Sequence, residues 1–86
     1  MRIIFHKNFE KRYKKLPDKI KQKVKEKNII FEKDQYDPIL NNHSLYGKYM
    51  GYRSISVMGN IRIVYKFLDK NTVLFAGIGT HSELYS

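Results

Sequence analysis

The last third of the chain narrows the choice of folds more than any other stretch. Three runs rich in β-branched and aromatic residues, Tyr52 to Met58, Ile61 to Leu68 and Thr72 to Ile78, are separated only by Gly59-Asn60 and by Asp69-Lys70-Asn71. Connections this short, built from residues that tolerate turn geometry, join neighbouring strands only as hairpins, so the runs form an antiparallel meander. In the middle run Ile61, Ile63, Tyr65 and Phe67 alternate with Arg62, Val64, Lys66 and Leu68. One face of the sheet is therefore apolar and needs a cover, while the other offers Arg62 and Lys66.

The first third supplies that cover. Arg2 to Phe5 is a β-prone run, and from Asn8, a residue suited to cap a helix, Phe9, Tyr13 and Leu16 recur at helical spacing as far as Pro17. Pro17 and Asp18 suit the first turn of a second helix, whose apolar stripe runs through Ile20, Val24, Ile30 and Phe31 with lysines between. Gln35 to Asn42 loses the helical period and reads as a connecting loop. The expected fold is α+β: an N-terminal strand, a two-helix hairpin and a three-stranded antiparallel meander, with the helices on one face of one sheet. One domain over residues 1–86 is expected, because at 86 residues folding hides only about 60–65% of the unfolded chain's surface and supports one modest core. The chain has no cysteine, so packing alone must hold it, without disulfides or thiolate zinc. No apolar stretch approaches the ~20 residues that span a bilayer, and Met1 to Lys7 is too short for a signal-peptide core, which points to a soluble, cytoplasmic protein with no membrane contact.

The formal net charge is +9. Such a balance concentrates polyanions near the surface, making nucleic acid the leading partner class over an ordinary solvated basic face or an anionic membrane. Most of the lysines lie between Lys7 and Lys33, on helix faces turned from the core.

Several motifs fail on their context. Gly77-Ile78-Gly79-Thr80-His81-Ser82 lacks the third glycine of a dinucleotide loop and a following helix of useful length. His81 and Ser82 are adjacent, which does not make a hydrolase triad, and His6, His43 and His81 show no paired metal-ligand spacing. His6, at the end of the first strand, reads as a surface or structural residue.

What survives is the set His43, Arg62, His81 and Tyr85, with Lys48, Arg53 and Lys66 as supporting cations. A loop histidine is ordinarily solvated and a strand arginine is ordinarily half of a surface ion pair. Together, however, two imidazoles and a guanidinium supply everything RNA cleavage needs without a metal or other cofactor. One group removes the 2′-hydroxyl proton, another protonates the leaving 5′-oxygen, and a cation holds the charge developing on phosphorus. His43 precedes the sheet, Arg62 lies in its middle strand and His81 follows its last, so the three can converge over one face. Tyr46, Tyr49, Tyr52, Tyr65 and Tyr85 can stack on unpaired bases or fill the core. Tyr65, by its place in the apolar alternation, is assigned to the core, and Tyr85 to RNA.

Around these residues the sequence resembles the RelE superfamily of bacterial toxin–antitoxin systems, most closely its YafQ-like branch. The likeness is carried by His43-Ser44-Leu45-Tyr46-Gly47, Gly51-Tyr52-Arg53, Ile61 to Lys66, and Ile78 to Tyr85, and extends over nearly the whole chain. It implies a compact microbial-RNase-like fold, metal-independent cleavage of mRNA in the A site of the 70S ribosome, and inhibition by a cognate antitoxin encoded by an adjacent gene. By position His43 and His81 match histidines that act in proton transfer, Arg62 the arginine used against the scissile phosphate, and Tyr85 the C-terminal aromatic that orients substrate. The chain departs from the YafQ pattern at Ser56, Asn60 and Gly77, where relatives usually carry histidine, aspartate and arginine. The general base is accordingly His43 or a nearby lysine. A ribosome or RNA binder that arrests translation without cutting, and an antitoxin-binding module with weak activity, stand as alternatives.

Overall fold

The computed structural model describes residues 1–85. Its frame is one five-stranded sheet: β1 (Arg2–Phe5), β2 (His43–Ser44), β3 (Arg53–Met58), β4 (Ile61–Asp69) and β5 (Thr72–Thr80), in the spatial order β1-β5-β4-β3-β2. The meander β3-β4-β5 is antiparallel throughout, with Ile55 opposite Ile63 and Ile63 opposite Ile78. Gly59, in the first connection, takes φ +51°, the left-handed backbone that the turn demands. β1 joins the far edge in parallel with β5, Arg2 beside Thr72 and Phe5 beside Phe75.

Helix α2 (Asp18–Lys33) covers the apolar face. Its Phe31 is fully buried and meets Tyr65 and Phe75 edge-on, with ring centroids 5.0 and 5.4 Å away. Ile55, Val57, Ile63 and Val73 complete this layer from the sheet. Tyr65 is the core residue its alternation foretold. Its hydroxyl still finds a partner, accepting from Asn42 Nδ2 at 2.7 Å, and burial pushes its phenol above the usual 10.0. The 3₁₀ turn Pro38–Leu40 seals one end with Leu40, and Asn41 leaves it in the left-handed conformation that asparagine tolerates.

Helix α1 (Lys7–Lys14) differs from expectation in two ways. His6, not Asn8, caps it: His6 Nδ1 accepts from the Asn8 backbone N–H at 3.0 Å, which gives His6 a structural role. And because β1 ends opposite Phe75, α1 runs beside the rest of β5 at the sheet's edge. Phe9 and Tyr13 turn toward the core, while Asn8, Lys11, Arg12 and Lys15 turn the other way.

The second sheet face is also partly covered. Ile63, Val64 and Tyr65 are all buried, whereas Phe67, on the nominally apolar side, is 38% exposed. The register slips between Val64–Gly77 and Tyr65–Phe75, leaving Ala76 unpaired, and helix α3 (His81–Tyr85) folds back over β5 there. A Cβ on Gly77 would meet Leu84 Cδ2 at 3.2 Å, and one on Gly79 would meet Glu83 Oε1 at 2.9 Å, so both glycines let α3 lie close on the strand. The helices therefore occupy one face, one edge and part of the other face. Among the described residues no helix is long and apolar enough to cross a membrane.

Candidate RNA-cleavage site

Strand parity decides which side chains share the open face. Ser44 pairs with Arg53 and His43 with Ser54; Ser54 pairs with Val64 and Ser56 with Arg62. Residues directly opposite point to the same side, so His43, Ser54, Ser56, Val64 and Arg62 stand on one face and Ser44, Arg53 and Tyr65 on the other. The two-residue strand β2, which lacks enough length to show an alternation, is thus what turns His43 toward Arg62.

Beyond β5, α3 brings the remaining residues to the same place. A shallow groove of about 280 Å³ is lined by His43, Leu45, Tyr46, Tyr49, Arg62, His81 and Tyr85. All four residues expected to carry the chemistry are in it. Nδ1 of His43 lies 3.0 Å from the carbonyl oxygen of Asn41. A carbonyl only accepts, so in the neutral ring Nδ1 carries the hydrogen and Nε2 keeps a free lone pair, the state of a proton acceptor. Arg62 Nη1 donates to Ser56 Oγ at 3.1 Å, which fixes the guanidinium yet leaves donors for phosphate oxygens. Ser56, which stands where the resemblance expects a histidine, thus supports Arg62.

Three interactions that sequence reasoning missed hold α3. Thr80 and Glu83 form a capping box: the Thr80 N–H donates to Glu83 Oε1 at 2.7 Å and the Glu83 N–H to Thr80 Oγ1 at 3.2 Å. The Thr-x-x-Glu spacing was the available signal. Glu83 Oε2 also pairs with Arg12 Nη1 at 2.9 Å, tying α3 to α1. The Thr80 hydrogen bonds, more than Arg12, hold the Glu83 carboxyl below its usual 4.5. On the other side the Tyr49 hydroxyl donates to the Leu84 carbonyl at 2.7 Å. Tyr85 is wedged between Tyr49 and His81, with ring centroids at 5.1 and 4.7 Å, and its hydroxyl is buried with no hydrogen-bond partner among the described residues. Its ring orients the histidine as well as lining the groove.

The supporting cations divide. Lys48 and Lys66 hold their amines over the rings of Tyr49, which lines the groove, and Tyr52, which does not, at 5.4 and 5.1 Å. Arg53 does not join them. Its Nε donates to Asn42 Oδ1 at 2.7 Å, its Nη1 to Ser44 Oγ at 2.8 Å, and its guanidinium lies over Tyr36 on the opposite side of the sheet. Parity turned it away, and it instead pins the segment that presents His43. Asn60 sits exposed in the β3–β4 turn, and Gly77 lies under Leu84. Among the described residues no three His, Asp or Glu side chains are gathered as metal ligands would be.

The family described as the bacterial toxin of a type II toxin–antitoxin system, YafQ, matches residues 1–86. A crystal structure of YafQ from E. coli strain BL21(DE3) superposes with a TM-score of 0.80 at 25% identity, over 100% of both chains. The toxin in the E. coli DinJ-YafQ complex matches at 26% identity and a TM-score of 0.76, over 98% of this chain and 96% of that one. A YoeB/ParE toxin from Agrobacterium tumefaciens shares the fold alone, with a TM-score of 0.80 at 14% identity, over 94% and 99% of the chains. No curated protein sequence matches. With the family model spanning every residue and the fold matching throughout, the chain belongs to the YafQ-like branch of the RelE superfamily, the toxins of bacterial type II toxin–antitoxin systems.

Proposed function

We propose that this toxin is a metal-independent endoribonuclease that cuts mRNA in the A site of translating 70S ribosomes in the cytoplasm. The observation that carries this is the meeting of His43, Arg62, His81 and Tyr85 in one groove. Nε2 of His43 takes the proton of a 2′-hydroxyl, whose oxygen attacks the adjacent phosphorus. Arg62 holds the non-bridging oxygens as charge gathers on them, and His81 gives its proton to the departing 5′-oxygen. The products are a 2′,3′-cyclic phosphate and a 5′-hydroxyl. Lys48 and Lys66 flank the scissile nucleotide's backbone, while Arg53 acts only by holding the loop before β2.

Each well-placed proton transfer contributes about 10²–10⁴ in rate. His81→Ala is therefore expected to abolish detectable mRNA cleavage on ribosomes and to relieve growth arrest, with mapped 5′ ends as the measurement. Full toxicity with unchanged ends would remove His81 from the reaction. Ser56 favours a second reading, a binder that blocks the ribosome without cutting, because it replaces one proton-transfer group of the relatives. Arrested translation with intact messages after wild-type induction would decide for it. A cognate antitoxin encoded by an adjacent gene is proposed on the strength of the DinJ-YafQ complex, its acidic or amphipathic segment laid over the basic surface.

A further inference from the structure

The histidine groove is the smallest of three neighbouring hollows that share lining residues. It shares Tyr49 with a hollow of about 390 Å³ whose lining includes Lys48, Tyr52 and the backbone of β5 at Gly77. That one shares Asn8, Arg12 and Glu83 with a third, of about 610 Å³, walled by Lys11 and Lys15 and floored by Gly79. The order along the row is thus histidines and arginine, then Tyr49, Tyr52 and Lys48, then Lys11 and Lys15. Asn8, Lys11, Arg12 and Lys15 fall at helical spacing on one face of α1, so the last segment follows from the helix's placement at the sheet edge. Glu83 is the acidic residue in the two larger hollows, and its charge is already engaged by Arg12 at 2.9 Å and by the Thr80 N–H.

From this succession we infer that the row of hollows is the path of single-stranded RNA beyond the scissile bond, crossing over Tyr49 and the Arg12–Glu83 pair, with Lys11 and Lys15 holding backbone phosphates one to several nucleotides from the cut. The inference extends the RNA-cleaving function proposed above. The alternation of cations with aromatic faces is what favours RNA over an acidic peptide: phosphates need the lysines, and unpaired bases need the tyrosine rings. Lys48 and Lys66 rest on Tyr49 and Tyr52 as mobile point charges. They can swing to a phosphate and free a ring for a base.

The test uses the whole chain and uncleavable 2′-O-methyl oligoribonucleotides, so that binding is read without chemistry. Wild-type affinity should rise with length from about three to about twelve nucleotides. The pair Lys11→Glu, Lys15→Glu should lose about tenfold on the longer probe, nothing on the trinucleotide, and flatten the salt dependence by about 1.4 in log–log slope. The pair Lys19→Glu, Lys33→Glu makes the same charge change on α2, off that row, and should lose much less. Equal losses in the two pairs, or an affinity that does not grow with length, would overturn the path. So would retention of RNA affinity while binding of a polyglutamate peptide is lost, which would make the surface a protein-docking one. Failure of the cleavage function is read separately, from intact messages after induction, and leaves these binding results standing.

Discussion

Arg62 is steadied by its hydrogen bond to Ser56. In the proposed reaction it binds the phosphate more tightly as charge develops, so its removal falls on the transition state. Arg62→Ala is expected to slow single-turnover cleavage on programmed ribosomes by about 10²–10³-fold. Arg62→Lys should recover part of this, keeping the charge but losing the planar fork; cleavage at the wild-type rate in the alanine variant would exclude a role on phosphorus. Arg62 was legible in the sequence because parity along β4 was enough to aim it, whereas His43 was legible only by residue type, its aim being set by a two-residue strand too short to leave a pattern. The role of Arg53 was not legible: parity along β3 turns it to the side of Ile55 and Val57, and the partners it holds there, Asn42 and Ser44, lie eleven and nine residues earlier.

At the scale of the element, α3 behaves as a latch for His81. Five residues make no stable helix alone. It exists because Thr80 and Glu83 cap it, Arg12 pulls on it from α1 and Tyr49 holds the Leu84 carbonyl. So short a helix has no period to read, which is why hydrophobic patterning passes over it while the capping spacing betrays it. The Glu83 carboxyl is held below its ordinary 4.5 in the folded chain, so it stabilises the latch above that value. The contribution is lost as pH falls through the lowered folded value. Acidification below the ordinary 4.5 should release the Tyr85 and His81 resonances from their packed shifts before the core unfolds. In Glu83→Gln the step should disappear and the released state should already be populated at pH 6. Asp69, also held low by the Asn71 N–H it accepts from, titrates with the same sign in the distant β4–β5 turn, and the Glu83 variant leaves it untouched. A step that persists in Glu83→Gln would assign the acid sensitivity to Asp69 or to the rest of the chain.

For the molecule as a whole, 86 residues with a net charge of +9 and no cysteine leave the core to oppose both chain entropy and self-repulsion. The residues of that core were readable: Val24 and Phe31 from the helical stripe, Ile63 and Tyr65 from the strand alternation. The parallel union of β1 with β5 was not, since it joins Arg2 to Thr72 across almost the full chain, where local periodicity carries no information. Phe31 is where the two halves meet, for it is fully buried and touches Tyr65 of β4 and Phe75 of β5, the strand to which β1 is joined. Truncating a buried phenylalanine costs about 3–5 kcal/mol, against a total of about 5–15 for a domain. Phe31→Ala should therefore lower the melting temperature by more than about 10 °C. Because the +9 charge acts on the whole fold and not on this contact, added salt should raise the melting temperature of wild type and variant alike by screening self-repulsion, leaving the gap between them. A gap that closes with salt would mean that the variant fails through crowded lysines on α2, and that the helix, not the Phe31 contact, is what joins the halves.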